Sequence, residues 1–557
     1  MNKWIPMFHS LDNHPEKSWI YYLSRHFDIH PLLIYHLYIQ GLTCKKQLED
    51  YFYPNISHLH NPFLMNEMDQ AVHRIMKAIE NKEKIVIFGD YDCDGITSSS
   101  ILFSTLKKLG AHVYTYLPLR ENGYGLSIEF VQRLRDDIGL IITVDNGSSA
   151  YPAVDLARER NIDVIVTDHH EVLGSRPNCY SFINPKRKDN SYPFSDLSGA
   201  GVALKLTQAI LQKANIPWEK YAFEHLELAA LGTIADLMPL CGENRTICSL
   251  GIRKMNYSPH YVLRMLFDFL KIKKIDSNVL SFQIAPIFNA IGRIGDPNIA
   301  ANMLKQSGAT IQDVQKLISI NQQRKVLTQT QFLIAQQHIQ KSHYHLDKVI
   351  VLYGDYHYGL IGLLASRIAE FYKKPTIIIS QKGVGSARSV NGTSFSIIKV
   401  IDECKSYLKK YGGHTCAAGF SIKNELIHIE QFRSAIQIAA MKQELHSPLI
   451  RYSSQLSIQE IPQFFFDDMY ALEPFGIKNI KPIFLSNYIQ PVNWKTFGNN
   501  KEHVQIRIEK YHAHAYNNQN MHSILSQRHR FNILYSINCY IKRSFLIHDV
   551  TVGKKST

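Results

Sequence analysis

Lys84-Ile-Val-Ile-Phe-Gly-Asp-Tyr-Asp-Cys-Asp-Gly95 is the stretch on which the reading of this chain turns. A short apolar run, Lys84–Phe88, stops at Gly89, and Asp90, Asp92 and Asp94 follow at alternate positions. An apolar run of this length reads as a buried strand, and Ser98–Leu109 then repeats apolar residues at helical spacing. Further runs come at His112–Leu117, Leu140–Val144 and Val164–Val166, with helix-like segments between them. Short buried strands alternating with helices mean βαβ units and a parallel sheet. Asp145 ends the run Leu140–Val144, and Asp168, His169 and His170 end the run around Val164–Val166. In a parallel sheet these strand ends lie on one edge, where such folds place their active crevice. Segments far apart in sequence are therefore expected to converge on one small volume.

That volume would be crowded with carboxylates, which repel strongly where water is scarce. They would raise one another's pKa or demand cations. A carboxylate-rich set with one or two imidazoles suits Mn²⁺ or Mg²⁺ better than a thiolate set would. Two such ions could clamp the attacking and leaving oxygens of a phosphoryl displacement. Asp90–Gly95 also resembles the start of a calcium loop, but Ile101 stands where that loop's closing glutamate belongs. Asp236, in Gly232-Thr-Ile-Ala-Asp-Leu-Met-Pro239 at the end of a largely apolar helix, needs a partner. A metal and a helix N-terminus serve equally well on this evidence.

Thr310–Gln340 predicts one long amphipathic helix with Thr310 as N-cap, suited to an interdomain connector. A second α/β block begins at Lys348–Leu352, with a helix over Gly359–Tyr372, a strand over Pro375–Ser380 and a helix over Phe395–Lys410. From about residue 447 the texture is strand-like: Val504–Ile508 alternates with period two, and Ile533–Ile541 and Phe545–Val550 are strand candidates. Several short strands with polar turns suggest a small barrel or sandwich. The expected architecture is a helical or irregular segment at 1–84, an α/β domain at 85–305, a connector helix at 306–345, a smaller α/β domain at 346–446 and a β-rich barrel at 447–557.

Lys and Arg exceed Asp and Glu by 62 − 48 = 14, and this basic surplus favours a polyanionic partner. No apolar run reaches the roughly 18 residues of a membrane helix, and Met1–Lys17 has no signal-like apolar region. The eight cysteines are scattered and none has C-x-x-C spacing, so no zinc knuckle or disulfide framework is expected. This reads as a soluble protein of a reducing compartment. Asn289-Ala-Ile-Gly-Arg293 sets a guanidinium fork beside a glycine, Ser386-Ala-Arg-Ser389 offers hydroxyls and a second guanidinium, and Gly412-Gly-His414 reads as a glycine turn. All three are candidate phosphate binders.

In their order, Asp90-Tyr-Asp-Cys-Asp-Gly95, Val144-Asp-Asn-Gly147, Asp168-His-His170, Gly232-Thr-Ile-Ala-Asp236 and Asn289-Ala-Ile-Gly-Arg293 resemble the DHH phosphoesterase superfamily. Gly412-Gly-His-Thr-Cys-Ala-Ala-Gly419 is similar to its associated DHHA1 domain. Leu197-Ser-Gly-Ala-Gly-Val202, Gly242-Glu-Asn-Arg245 and Glu473-Pro-Phe-Gly476 narrow the resemblance to the bacterial exonucleases of single-stranded DNA. The resemblance runs from about residue 60 to the end and implies an OB-fold after DHHA1. It implies a monomeric 5′→3′ exonuclease of recombination and repair, using two Mn²⁺ or Mg²⁺ ions. Such an enzyme would be cytoplasmic and nucleoid-associated, with a single-strand-binding protein and a RecQ-type helicase as partners and no role for a membrane.

Carried across, Asp90, Asp92, Asp94, Asp145, His169 and Asp236 would be metal ligands. Asp168 would orient His169, and His170 would face the scissile phosphate. Asn289, Arg293, Ser386, Arg388 and His414 would hold substrate phosphates. The family's Ser-Gly-Arg-Ser reads Ser386-Ala-Arg-Ser389 here, a substitution that would shift the loop if residue 387 required a positive φ. The two lobes would form a cleft too narrow for duplex. The barrel would add a basic surface with stacking rings, drawn from Tyr511, His512, Tyr516, Arg528, Arg530, Tyr535, Tyr540, Lys542 and Arg543. Two rivals are a phosphodiesterase for short oligonucleotides or cyclic dinucleotides, and a non-catalytic DNA-binding relative. The chain's length and charge oppose the first, and the full set of acids and histidines opposes the second.

Overall fold

The computed structural model describes residues 3–7, 11–172, 174–305, 308–422, 426–444, 449–498, 501, 503–516, 521, 524–525, 530–538 and 544–552. Two compact units divide the chain. The larger holds 6–289, 296–314 and 451–557, and the smaller holds 1–5, 290–295 and 315–450. No helix among the described residues is long and apolar enough to cross a membrane.

In the larger unit the chain opens with helices α1 (Lys17–Phe27), α2 (Pro31–Ile39) and α3 (Lys45–Phe52), and α4 (Met68–Glu80) leads into the first sheet. That sheet comprises β1 (Lys84–Phe88), β2 (His112–Tyr116), β3 (Ile138–Val144), β4 (Asp163–Thr167) and β5 (Ser181–Ile183). All its neighbours are parallel, in the order β2-β1-β3-β4-β5. The chain leaves β1 for β2 on one side and returns to β3 on the other, so the topological switch point lies between β1 and β3. Register aligns the strand ends: Phe88 lies opposite Thr143, and Val144 opposite Thr167. The residues that follow, Asp90, Asp145 and Asp168, are therefore delivered to one edge. Helix α5 (Cys93–Lys108) starts at that edge, capped by Asp92, and buries nearly its whole surface. Helices α6 (Gly199–Lys213) and α7 (Trp218–Ala235) pack beside it. Their apolar residues run all round the helix, as burial on several sides requires.

Helix α8 (Ala285–Ile294) contains a division between the units, so Asn289 belongs to the larger and Arg293 to the smaller. The long helix α9 spans Ile311–Lys341. Thr310 caps it, its hydroxyl accepting from the Asp313 amide while the Asp313 carboxylate accepts from the Thr310 amide at 2.9 Å.

The smaller unit builds a sheet from β6 (Ile350–Gly354), β7 (Thr376–Ser380), β8 (Val384–Arg388), β9 (Leu408–His414) and β10 (Ala417–Ile422), with α10 (Ile361–Tyr372) against it. The order is β9-β10-β8-β7-β6, and only β6 and β7 are parallel. Two expectations are corrected here. The helix expected over Phe395–Lys410 covers only Ile397–Glu403, and the chain is extended from Leu408. Gly412 and Gly413 are not a turn but lie in β9, opposite Gly419 and Ala418. Glycine content alone does not distinguish a turn from a strand that must pass close to its neighbour. A Cβ on Gly413 would stand 2.3 Å from the Ala417 carbonyl oxygen.

The C-terminal part of the larger unit is a seven-stranded sheet of β11 (Ser454–Gln455), β12 (Phe484–Ile489), β13 (Asn493–Phe497), β14 (His503–Ile508), β15 (Tyr511–Ala515), β16 (Phe531–Asn538) and β17 (Ser544–Val552). Its order is β11-β12-β16-β17-β15-β14-β13. Val504, Ile506 and Ile508 point inward, as the alternation in VQIRI requires. Leu23, Ile34, Leu37 and Leu48 of the N-terminal helices enter the same core as Phe465, Phe484, Phe531 and Tyr535. Helices α1, α2 and α3 thus contribute to the barrel's hydrophobic core. Tyr51 fastens them by donating from its hydroxyl to the Leu472 carbonyl at 2.9 Å.

Candidate metal centre

The edge beyond β1, β3 and β4 gathers Asp90, Asp92, Asp94, Asp145, His169 and His170, and Asp236 joins them from the C-terminus of α7. Three overlapping groups have ligand atoms within 4.8 Å of one another: Asp90 with Asp92 and Asp145, Asp94 with His169 and Asp236, and Asp145 with His169 and His170. The His169 Nε2 is the hub, 3.0 Å from Asp145 Oδ1, 3.6 Å from Asp236 Oδ2 and 3.8 Å from Asp94 Oδ2.

Each side chain has a local reason for its place. Asp92 is the N-cap of α5, accepting from the amides of Asp94 and Gly95 at 3.0 and 3.1 Å. Asp94 accepts from two amides at the start of α6, Gly199 at 2.7 Å and Ala200 at 2.9 Å. This helix end attracts a carboxylate, yet it leaves the charge buried. Asp145 sits at φ 63°, a left-handed turn that aspartate tolerates, and this turn swings its side chain back over the strand ends. The fit around these acids admits no extra atom. A Cβ on Gly199 would stand 2.5 Å from the Asp145 Cβ, and one on Gly232 would stand 2.4 Å from Asp94 Oδ1.

Burial, reinforced by neighbouring carboxylates, raises the acids' pKa values. Asp94 rises to about 7 and Asp236 to about 8, and Asp90 and Asp145 are also pushed well up. Burial and the neighbouring His170 depress His169 to about 3, so its ring is neutral, the form that ligates metal. Asp90 Oδ1, Asp145 Oδ1 and both ring nitrogens of His169 are buried without a hydrogen bond. Orphaned polar atoms gathered in one place are costly, and a divalent cation satisfies the carboxylate oxygens and one imidazole nitrogen together. The donor set therefore fits a hard or borderline ion such as Mn²⁺ or Mg²⁺.

The expectation that Asp168 orients His169 is corrected. The Asp168 carboxylate accepts from the His169 and His170 amides, from the Ser148 amide at 2.9 Å and from His170 Nδ1 at 2.7 Å. It holds the ring of His170, not that of His169. Burial alone would raise the Asp168 pKa, but the bond from His170 overrides it and holds the carboxyl well below the usual range. Burial likewise would lower His170, but pairing with Asp168 lifts it to about 9.

Of the expected phosphate binders, Asn289 accepts from the Cys93 amide at 2.9 Å through Oδ1, beside the aspartates. In the smaller unit Arg293 donates to the Gly359 carbonyl at 3.3 Å. Ser386 and Arg388 share one face of β8, and the guanidinium donates to the Ser386 hydroxyl at 3.1 Å. Ala417 lies opposite both Arg388 and His414, so these three form one row across the sheet, and Ser386, Gly419 and Gly412 form another. Ala387 has no positive φ. It is extended in β8 and buried in the core on the opposite face, so alanine there displaces nothing.

On the barrel, two expected stacking rings are core residues. Tyr511 and Tyr535 are buried, and their hydroxyls donate to the carbonyls of Ile461 and Leu456. His512, Tyr516 and Arg530 are exposed, whereas Arg528, Tyr540, Lys542 and Arg543 lie outside the described residues. Sequence reasoning missed Phe497 and His503, whose rings meet Tyr516 at 5.8 and 5.1 Å. The pairing of Phe497 with His503 across β13 and β14 is the signal that unites them. It also missed Tyr124, whose hydroxyl lies 3.2 Å from His170.

Comparison with known proteins agrees with this geometry. Residues 84–233 match the DHH family, N-terminal domain, residues 346–443 the DHHA1 domain and residues 452–543 the RecJ OB domain. The chain is 32% identical over 508 residues to the single-stranded-DNA-specific exonuclease RecJ of Bacillus subtilis, covering 89% of this chain and 63% of that relative. To RecJ of Dickeya dadantii it is 32% identical over 432 residues, covering 72% of this chain and 74% of the relative. The fold matches the crystal structure of RecJ in complex with Mn²⁺ from Thermus thermophilus, with TM-score 0.83 and 24% identity, over 97% of this chain and 78% of that one. With its three domains in this order and its identity to RecJ sustained across most of its length, the chain belongs to the RecJ family.

Proposed function

We propose that this chain is a metal-dependent exodeoxyribonuclease that hydrolyses single-stranded DNA from its 5′ end and acts in recombination and repair. The observation that carries the reading is the convergence of buried, unsatisfied carboxylate oxygens and a neutral imidazole on one sheet edge. Asp90, Asp92, Asp94, Asp145, His169 and Asp236 would hold two Mn²⁺ or Mg²⁺ ions. Bound there, divalent ions supply Lewis-acid charge to a phosphate and lower the pKa of water.

The chain's own residues do the rest. Asp168 fixes the His170 ring through Nδ1, leaving Nε2 to face a phosphate. Held protonated at neutral pH, His170 offsets the negative charge that grows on the reacting phosphate. Asn289, its Oδ1 engaged by the Cys93 amide, keeps amide hydrogens to donate to phosphate oxygen. Within the smaller unit, Arg293, Ser386, Arg388 and His414 offer donors to phosphate, and Arg388 can grip two oxygens at once. On the barrel, Tyr516, Phe497 and His503 offer ring faces to unpaired bases.

The test is digestion of end-labelled single-stranded and duplex DNA and of a dinucleotide, with Mn²⁺, Mg²⁺ or chelator. The expected result is release of 5′-labelled mononucleotide from the long single strand, with none from duplex and none in chelator. Preference for the dinucleotide, or undiminished cleavage in chelator, would overturn the reading.

A further inference from the structure

The loop between β2 and the segment before β3 carries a residue with no part in the scheme so far. Tyr124 stands between Gly123, at φ 94°, and Gly125, at φ 76°. Both glycines hold positive-φ conformations that other residues rarely adopt, and between them the tyrosine reaches over the strand ends. Its hydroxyl reaches the Asp145 carbonyl oxygen at 3.2 Å and lies 3.2 Å from both ring nitrogens of His170. The ring is held edge-on to Tyr91, centroids 6.4 Å apart, and the Arg120 guanidinium lies 4.1 Å over the Tyr91 ring.

The hydrogen-bond inventory gives this contact a direction. A tyrosine hydroxyl donates once and accepts through its lone pairs. The Asp145 carbonyl can only accept, so the hydroxyl donates there and its oxygen packs against the His170 ring. Nδ1 of His170 is engaged by Asp168 at 2.7 Å, and the hydroxyl oxygen, equidistant from Nδ1 and Nε2, lies along neither N–H and leaves Nε2 free. A single bond at Nδ1 anchors one point of a ring whose side chain is 47% exposed and leaves it free to tilt. A second contact fixes the plane. The same hydroxyl also ties that ring to the backbone of Asp145, at the left-handed turn between β3 and the cluster.

We propose that Tyr124 is a positioning residue for His170: its hydroxyl sets the tilt of the imidazole and locks it to the Asp145 turn. The inference rests on the reading of His170 as the group that faces the reacting phosphate. Misplacing such a group by about 1 Å costs up to about a hundredfold in rate. Losing one of two tethers is therefore expected to cost about tenfold.

The experiment compares wild type, Tyr124→Phe, His170→Ala and the double variant on single-stranded DNA at saturating Mn²⁺. Tyr124→Phe is expected to lower kcat about tenfold with KM unchanged, and to add no further loss in the His170→Ala background. If His170→Ala is slow and the double variant loses a further tenfold, Tyr124 acts elsewhere and this assignment falls alone. If His170→Ala keeps the wild-type kcat, the role of His170 in the reaction falls and the assignment with it. A second readout needs no metal. Diethyl pyrocarbonate labelling of the metal-free protein, followed by peptide mass spectrometry, is expected to modify His170 severalfold faster in Tyr124→Phe. An unchanged rate at His170 overturns the proposal.

Discussion

Asp145→Asn is expected to lose nuclease activity by about 10³-fold while making the metal-free protein more stable. The two effects share one cause. Asparagine matches aspartate in size and tolerates the left-handed turn at φ 63°, so the backbone is undisturbed. What changes is the charge, on a side chain that is 2% exposed, 3.0 Å from His169 Nε2 and ringed by Asp90, Asp92, Asp94 and Asp236. Ligand loss removes several kcal/mol of electrostatic assistance at the phosphate, and each 1.36 kcal/mol is tenfold in rate. Without metal, burial and the neighbouring acids push the Asp145 pKa well up, a cost that asparagine does not carry, so the substitution relieves the fold. Single-turnover digestion and thermal melts in chelator measure both effects. An Asp145→Asn protein that cleaves at near the wild-type rate, or melts earlier than wild type in chelator, would contradict the account.

The second large effect is a dependence of metal-free stability on pH, with a sign that Mn²⁺ should cancel. Asp94 and Asp236 have folded-state pKa values of about 7 and about 8, above those of the unfolded chain. Their contribution is fully present below the unfolded carboxylate value and is lost as pH rises through 7 to 8. His170, raised to about 9, loses its contribution in the same direction. His169, depressed to about 3, works the opposite way, but its effect is complete above its unfolded value near 6.5. Between pH 6.5 and 8 the cluster therefore only loses stability, on the order of 2–3 kcal/mol once His170 is discounted for exposure. Metal competes with those protons and binds the folded state, so its stabilisation grows over the same interval. Melts at pH 6.5 and 8 should show Tm falling in chelator and holding or rising in Mn²⁺. Parallel curves with and without Mn²⁺ would count against a metal centre.

Much of this site was legible because its acids follow strands. The apolar runs ending at Phe88, Val144 and Val166 announce a parallel sheet, and one edge then collects Asp90, Asp145 and Asp168. Side-chain direction beyond a strand end carries no periodic signal. Asp168 was therefore expected to hold the ring of His169 and holds that of His170. The amides that receive Asp94 come from Gly199 and Ala200, about a hundred residues away, and only packing of α6 on α5 brings them there. Tyr124 lies in an aperiodic loop between two positive-φ glycines, so nothing local marked it. Tyr511 and Tyr535 share the composition of stacking rings, but strand register turns them inward. The leading helices gave no chemical signal because their role is to fill the barrel's core.

The most direct measurement is anomalous diffraction at the manganese edge from crystals of this protein soaked in Mn²⁺. The account predicts strong peaks within coordination distance of the Asp94, Asp145 and Asp236 carboxylates and the His169 Nε2. A well-occupied soak with no peak among these four residues would contradict it.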